Sequence, residues 1–268
     1  MAEKIKEEEQ LLHEDEITDE IIIDEKELEE QKEESKVSVE AWKPKTSIGK
    51  AVKAGEVKDI DEVLKMGRIM EAEIVDVLMP NIEKELLLIG QAKGKFGGGQ
   101  RRAFRQTQKK TMEGNKPKFT TCAVIGNKDG YIGIGIGNSK ETVPAREKAF
   151  RKAKMNIFKI VRGCGSWECG CKTPHSIPFK VVGKSGSVEV TIAPAPKGKG
   201  LIVNNEIKKI LVLAGIKDVW SSVRGKTASR INLIKATEAA LRNLSATKVQ
   251  EKLKSQLGMV EGRLQNET

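Results

Sequence analysis

Apolar residues recur at helical spacing in some stretches of this chain and at every second position in others, and the changes of period mark out its elements. Ile74, Val75 and Leu78 share one face of a helix predicted over 72–79, which Pro80 stops. Strands are predicted over 86–92 and 120–126, and the turn Asn127-Lys128-Asp129-Gly130 joins the second to a strand over 131–137 as a hairpin. In that last strand Ile132, Ile134 and Ile136 alternate with Gly133, Gly135 and Gly137. The alternation puts the isoleucines on the core face and leaves the other face bare, open to close approach by another backbone, protein or nucleic acid. Thr142 as N-cap, with Pro144 just inside, opens a helix running to about residue 161. Ala149, Ala153, Ile157 and Ile160 form its apolar stripe, and Arg146, Lys152, Lys154 and Lys159 keep the rest basic.

A Gly- and Cys-rich stretch over 162–174 breaks the pattern, which resumes with strands over 179–182 and 188–192. The loop Pro194-Ala195-Pro196-Lys197-Gly198-Lys199-Gly200 leads to a helix over 206–214, ended by Gly215 as a left-handed cap. A strand over 219–223 and a helix over 232–244 follow. Beyond Ser245, Val249, Leu253, Leu257 and Leu264 stand at helical spacing in polar text, which fits an exposed amphipathic helix or a frayed tail. The fold class is α+β. An α-β-β-β-α unit over 81–163, in the order of a small RNA-binding domain, is joined by a Cys-rich junction over 164–175 to an α/β unit over 176–245. An acidic tail over 1–40, an extension with short helices over 41–80 and a tail over 246–268 complete the division.

Charge sharpens this picture. Residues 1–40 hold 17 acidic residues and 5 lysines, so the net charge of +10 conceals a body of +22 beside a tail of −12. A basic body attracts polyanions by releasing their counterions, which makes nucleic acid the first partner class. The tail reads as a disordered solvated arm, or as an arm that competes with RNA or docks on a basic neighbour. Aromatic residues are 4% and charged residues 32%, which suits small units with wide solvated surfaces rather than a large enzyme core. No apolar run approaches the roughly 20 residues of a membrane span, and no stretch resembles an export signal. Free or metal-bound thiols in a reducing cytosol are therefore expected for the four cysteines.

The densest basic stretch runs from Lys93 to Lys118, with nine Lys or Arg against one acid. Within it Lys93, Lys95, Arg101, Arg102 and Arg105 offer phosphate donors, Phe96 and Phe104 offer stacking surfaces, and Gly97, Gly98 and Gly99 make a turn whose amides can approach phosphates. Lys128, Lys140, Arg146, Lys152, Lys197, Lys199 and Arg224 are further candidate RNA contacts. Gly133-Ile134-Gly135-Ile136-Gly137 is not a dinucleotide fingerprint, because its third glycine falls one residue early. The loop over 194–200 lacks the Gly-Lys-Ser/Thr ending of an ATP-binding loop. Cys164, Cys169, Cys171 and His175 place four good zinc ligands within 12 residues, and a structural zinc could staple the junction. Reduced, unligated cysteines with His175 capping a turn are the alternative. No catalytic alternative works well, since the chain has two histidines and one of them, His13, lies in the acidic tail. Cys122 reads as strand packing, and Trp42, Trp167 and Trp220 read as anchors of small cores rather than base-stacking platforms, although Trp167 sits in the exposed-looking Cys loop.

Read in order, several of these stretches resemble one family. They are the run from Gly126-Asn127-Lys128-Asp129-Gly130 through Asn138-Ser139-Lys140-Glu141, the basic helix after it, and Pro194-Ala195-Pro196-Lys197-Gly198-Lys199-Gly200. Leu213-Ala214-Gly215-Ile216-Lys217-Asp218-Val219 and Ser222-Val223-Arg224-Gly225 with Asn232, Lys235 and Ala236 complete the set. The chain is identified over about 45–245 as resembling the small-subunit ribosomal protein five family. The Cys-rich loop and the extra segment 106–118 are similar to its archaeal branch. The resemblance implies a double-stranded-RNA-binding-like domain followed by a left-handed βαβ domain, in a non-enzyme that works in the cytoplasm as part of the ribosome. It implies contacts with small-subunit (16S-type) rRNA, with messenger RNA near its entry path, and with ribosomal proteins four, eight and three. The work implied is to stabilise the decoding region and support accurate translation, with no membrane and no small-molecule substrate involved. The acidic tail departs from the family pattern, and the resemblance does not itself require zinc. A free-standing binder of duplex RNA is the second reading of the residues. A small-molecule kinase, whose fold the second unit would share, lacks both a phosphate loop and a general base here.

Overall fold

The computed structural model describes residues 42–92, 94 and 101–263. The acidic tail over 1–40, Lys93, Lys95, Phe96, Gly97, Gly98, Gly99 and Leu264 lie outside the described residues. Three short helices come first: α1 (Ser47–Ala54), α2 (Ile60–Met66) and α3 (Glu73–Leu78). Trp42, Val52, Ile60, Val63, Ile74 and Val75 pack with Ile125, Tyr131 and Ile157 of the main body in a satellite core, so Trp42 is the anchor its type suggests. Glu71 fastens the start of this segment by accepting hydrogen bonds from Trp42 Nε1 (2.8 Å), the Lys45 amide (2.9 Å) and the Thr46 amide (2.7 Å). Burial opposes its charge, but these bonds, that from Thr46 first, hold its carboxyl below the ordinary range.

The first sheet is antiparallel, in the order β1 (Glu83–Leu87), β3 (Gly114–Gly126), β4 (Tyr131–Ser139) and β5 (Ile157–Lys159), with β2 (Arg105–Thr111) also paired to β3. Helix α4 (Thr142–Met155) lies on its glycine face. A Cβ at Gly135 would stand 2.3 Å from Ala149 O and from Ala153 N, and one at Gly137 would stand 2.1 Å from Ala145 O. The bare face therefore meets protein: Ala145, Ala149 and Ala153, all fully buried, let the helix sit directly on the strand. On the other face Ile132 and Ile134 join the main core with Val190, Ile207, Leu211 and Leu241 of the second half, so both faces are covered.

The second sheet runs β7 (Val181–Ser185), β8 (Val188–Pro194), β10 (Val219–Arg224) and β9 (Leu201–Ile202). Strands β9 and β10 pair in parallel, joined by α5 (Asn205–Leu213), which makes the expected βαβ unit. Helix α6 (Arg230–Ala246) covers the sheet through Leu233, Ile234, Ala236, Ala240 and Leu241, and Gly183 lets Ala236 and Ala240 approach as Gly135 does in the first half. The two halves meet where the turn after β3 reaches the end of α5. The Lys128 amide donates to Leu213 O (3.0 Å) and the Gly130 amide to Ala214 O (3.2 Å). Gly215, at φ 79°, is required there, because a Cβ would stand 2.1 Å from Lys128 O.

Four expectations need correction. The helix after Thr142 ends at Met155, not near residue 161: Ile157-Phe158-Lys159 is β-branched and aromatic and pairs with the free edge of β4, so Ile157 and Ile160 enter the core from extended chain. Its N-cap residue is Glu141, with Thr142 already in the first turn. The first unit gains two strands, β2 and β5, over the α-β-β-β-α reading, and β1 closes at Leu87 rather than 92. The described part of the segment after residue 245, up to Arg263, is no free tail. After α7 (Glu251–Gln256), β11 (Val260–Glu261) pairs antiparallel with β6 (Val161–Arg162), and buried Arg162 donates to Asp129 Oδ1 (2.6 Å) and Gly262 O (3.0 Å).

Candidate metal centre and nucleic-acid interface

Strand β6 leads straight into the Cys-rich loop, which is closed at its base by reciprocal backbone bonds between Gly163 and Ser176, both 3.0 Å. Inside, the Cys169 amide turns back to Ser166 O (3.2 Å), and Lys172 at φ 54° reverses the chain directly after Cys171. These bends overcome the tight Cys-x-Cys step. The ligand atoms of Cys164, Cys169, Cys171 and His175 all lie within 4.8 Å of one another. Cys169 Sγ is 3.8 Å from His175 Nε2, near the roughly 3.5 Å that bonds of about 2.3 Å to sulfur and 2.0 Å to nitrogen impose across a tetrahedral zinc.

His175 is buried and its Nδ1 lies 2.8 Å from Asp218 Oδ2. A carboxylate only accepts, so the ring proton belongs on Nδ1 and Nε2 turns its lone pair to the thiols. The other oxygen, Asp218 Oδ1, accepts the amides of Gly198 (3.0 Å) and Gly200 (2.8 Å). One buried carboxylate thus holds both the imidazole and the loop that carries Lys197 and Lys199. The Thr173 hydroxyl, helped by the Thr173 amide, draws the Cys171 thiol down to about 6. Burial, then contact with the neighbouring thiols, pushes Cys164 up to about 11. A bound dication would favour the thiolate form of each sulfur it holds. Three sulfurs and one imidazole form a closed set suited to zinc in a structural role, with no position left for a substrate.

The candidate RNA contacts are dispersed. The strand-like bridge Ala92–Arg101, the bond from the Gly90 amide to Arg102 O (2.8 Å) and that from the Arg102 amide to Gln91 O (3.3 Å) pinch the basic loop at its base. Arg102 and Arg105 are exposed, Phe104 is half-buried, and Arg101 is half-buried with one NH donated to Gly90 O (3.3 Å). Lys128 is engaged by Glu83 in an ion pair rather than standing free. Lys140, Arg146 and Lys152 are exposed at the start and on the outer surface of α4; Lys197, Lys199 and Arg224 are exposed on the second half. Trp167 is 88% exposed at the head of the Cys loop, against its reading as a core anchor, because the turn from Ser166 to Cys169 points it outward; Trp220 is half-buried. Cys122 is fully buried in β3, as its reading requires, and burial raises its thiol to about 12. Sequence reading missed Asp218, whose partner is 43 residues away and whose surrounding motif carries no metal signature. It also missed the one-sided basic surface of β2 and β3, which only the strand register reveals.

Comparison with known proteins gives concordant matches. Residues 102–161 match the family model described as ribosomal protein S5, N-terminal domain, and residues 183–254 match that described as ribosomal protein S5, C-terminal domain. The chain is similar to a protein named small ribosomal subunit protein uS5 from Nanoarchaeum equitans, 48% identical over 231 residues, or 86% of this chain and 99% of that one. The protein of the same name from Methanocaldococcus jannaschii is 45% identical over 85% of this chain and 98% of its own length. That from Pyrobaculum calidifontis is 45% identical over 78% and 96%.

Proposed function

The chain belongs to the ribosomal protein S5 family, structural non-enzymes of the small ribosomal subunit, and from that premise we propose where and how it works. It binds 16S-type rRNA beside the decoding region, at the messenger entry path, with proteins four, eight and three as neighbours. It supports accurate decoding there by geometry and charge, with no covalent step. The observation that supports this most is the paired backbone at residues 90–92 and 101–102, which fixes the two ends of the glycine-rich segment against each other. Arginines at its foot then reach phosphates from a fixed origin. Lys140, Arg146, Lys152, Lys197, Lys199 and Arg224 spread further phosphate contacts over both halves. In the test, subunits reconstituted with an Arg101→Ala, Arg102→Ala, Arg105→Ala variant are assayed for misreading of near-cognate codons. A several-fold change in misreading with normal subunit assembly is expected; an unchanged error rate removes the loop from decoding.

The Cys164, Cys169, Cys171 and His175 cluster holds one structural zinc in this reading. The donor set supports it, and so does the Nδ1–H of His175 on Asp218, the usual outer partner of a metal-bound imidazole. Zinc would fix the Cys loop against the end of α7 on one side, where the Cys164 amide donates to Leu257 O (2.8 Å), and against the Lys197–Lys199 loop on the other. Elemental analysis of the purified protein should give about one zinc per chain, lost in a Cys169→Ser, Cys171→Ser variant. A metal-free protein of unchanged stability removes the staple.

A further inference from the structure

Past the end of β4, strands β2 and β3 leave the sheet as a two-stranded ribbon. Residues 122–126 of β3 are flanked by β1 and β4, and 119–120 by β2 and β4, but 114–118 pair with β2 alone. At about 3.4 Å per residue the ribbon stands roughly 17 Å beyond Phe119. Met112 and Glu113 make its tip, and Gly114 at φ 116° takes the conformation the turn needs. From Gln106 to Lys110 and from Met112 to Lys118 every residue is exposed, and none of residues 105–118 belongs to either apolar core. An unsupported two-stranded ribbon is marginal in water.

Its charges are not distributed evenly. Directly opposed residues share a face, and the register opposes Arg105 with Thr120, Thr107 with Lys118, Lys109 with Lys116, and Thr111 with Gly114. One face therefore carries Arg105, Lys109, Lys116 and Lys118. The other carries Gln106, Gln108, Asn115 and Pro117, with Lys110 as its one cation. Lys109 stands straight across from Lys116, an arrangement that costs stability in the free protein. Glu113 relieves it little, since its 2.7 Å pair with Lys116 leaves the two side chains 78% and 59% exposed. A ribbon without apolar cover, bearing opposed lysines on one face, is a surface completed by a polyanion.

We propose that the Lys109–Lys116–Lys118 face of this ribbon, continuous at its base with Arg105 of the loop, lies along the phosphate backbone of small-subunit rRNA, as a contact beyond that of the glycine-rich loop. The face has no aromatic or aliphatic centre of the kind that anchors a protein partner, so charge complementarity selects nucleic acid. Lysines on extended chain reach phosphates without entering the deep, narrow major groove of an RNA helix, so the contact reads backbone and shape rather than sequence. The proposal rests on the rRNA-binding reading above and adds the side of the ribbon that does the binding.

The test uses the full-length protein and a small-subunit rRNA transcript, with affinity measured across a salt series. Wild-type binding that weakens steeply with salt tests the rRNA-binding reading itself; its absence overturns that reading and the ribbon contact with it. Given that binding, a Lys109→Gln, Lys116→Gln, Lys118→Gln variant should lower the logarithmic salt slope by about 2–3, at 0.7–0.9 per lost phosphate, while Lys110→Gln on the opposite face leaves it unchanged. Equal effects of the two variants, or none from the triple, overturn the proposal. Lys109→Glu adds an independent check, because it places opposite charges across the ribbon. It should keep or raise the melting temperature of the free protein while weakening RNA binding, and an unweakened complex overturns the proposal. If the triple variant binds RNA normally yet fails to join assembled subunits, the face meets an acidic protein and the RNA assignment is wrong.

Discussion

Replacing Asp218 by asparagine tests whether one carboxylate serves both the candidate Cys3His metal cluster and the Lys197–Lys199 loop. Oδ2 accepts the proton of His175 Nδ1 at 2.8 Å, and Oδ1 accepts two glycine amides at 3.0 and 2.8 Å. An amide of the same shape has one accepting oxygen, so it can serve only one of these sides. If its oxygen stays with Gly198 and Gly200, its NH2 opposes the Nδ1 proton. The imidazole must then carry its proton on Nε2, where a bound metal would need a lone pair. Loss of such an outer partner typically costs 10–100-fold in metal affinity, which is about 1.4–2.8 kcal/mol. If the amide instead flips, the two glycine amides lose their acceptor and the loop bearing Lys197 and Lys199 loosens, lowering RNA affinity. The assay is competition for zinc between the protein and a chromophoric chelator, run beside RNA binding at fixed salt. An Asp218→Asn protein that matches wild type in both would refute the shared-carboxylate reasoning.

Gly135→Ala should destabilise the protein by about 3 kcal/mol, because a methyl at 2.3 Å from Ala149 O and Ala153 N must push α4 off the sheet; thermal unfolding measures it, and a loss under 1 kcal/mol contradicts the packing. Glu71→Gln should weaken the attachment of the first three helices by about 1–2 kcal/mol by removing charge-assisted bonds to Trp42, Lys45 and Thr46. The carboxyl of Glu71 is depressed on folding, so its contribution is full above the unfolded value of about 4.3 and fades as pH falls below it. Trp42 fluorescence followed down the pH scale should show that loss in wild type and not in the Gln variant. Asp76→Asn should cost about 3 kcal/mol, since Lys154 would keep a nearly buried charge without its 2.6 Å partner; equal chemical-denaturation midpoints would show the pair to be idle.

Where local pattern decides structure, the sequence was sufficient. The alternation of isoleucine and glycine in β4 announced one core face and one face for close backbone approach, and the structure supplies Ala145, Ala149 and Ala153 as what approaches. Gly215 announced the end of α5. Where tertiary partners decide, local reading fell short. Helical spacing carried the helix through Ile157 and Ile160, but the unpaired edge of β4 takes Ile157–Lys159 as a strand instead. The polar residues 106–118 have no apolar alternation to mark them as strands, because both faces of the ribbon are solvated. The Cys-rich cluster was legible from ligand types alone. Asp218, which orients His175, was not, since only the fold brings residue 218 to residue 175. The segment after Ser245 was ambiguous for a related reason: its pairing partner, β6, lies a hundred residues earlier.

Sedimentation of the native protein through a sucrose gradient after a high-salt wash bears most directly on a structural, rRNA-bound protein of the small subunit. The protein should travel with the small subunit in about one copy per particle, because a body of +22 with basic residues on both halves does not release in a single step. Recovery of most of the protein in the soluble fraction, with intact subunits lacking it, would contradict the assignment.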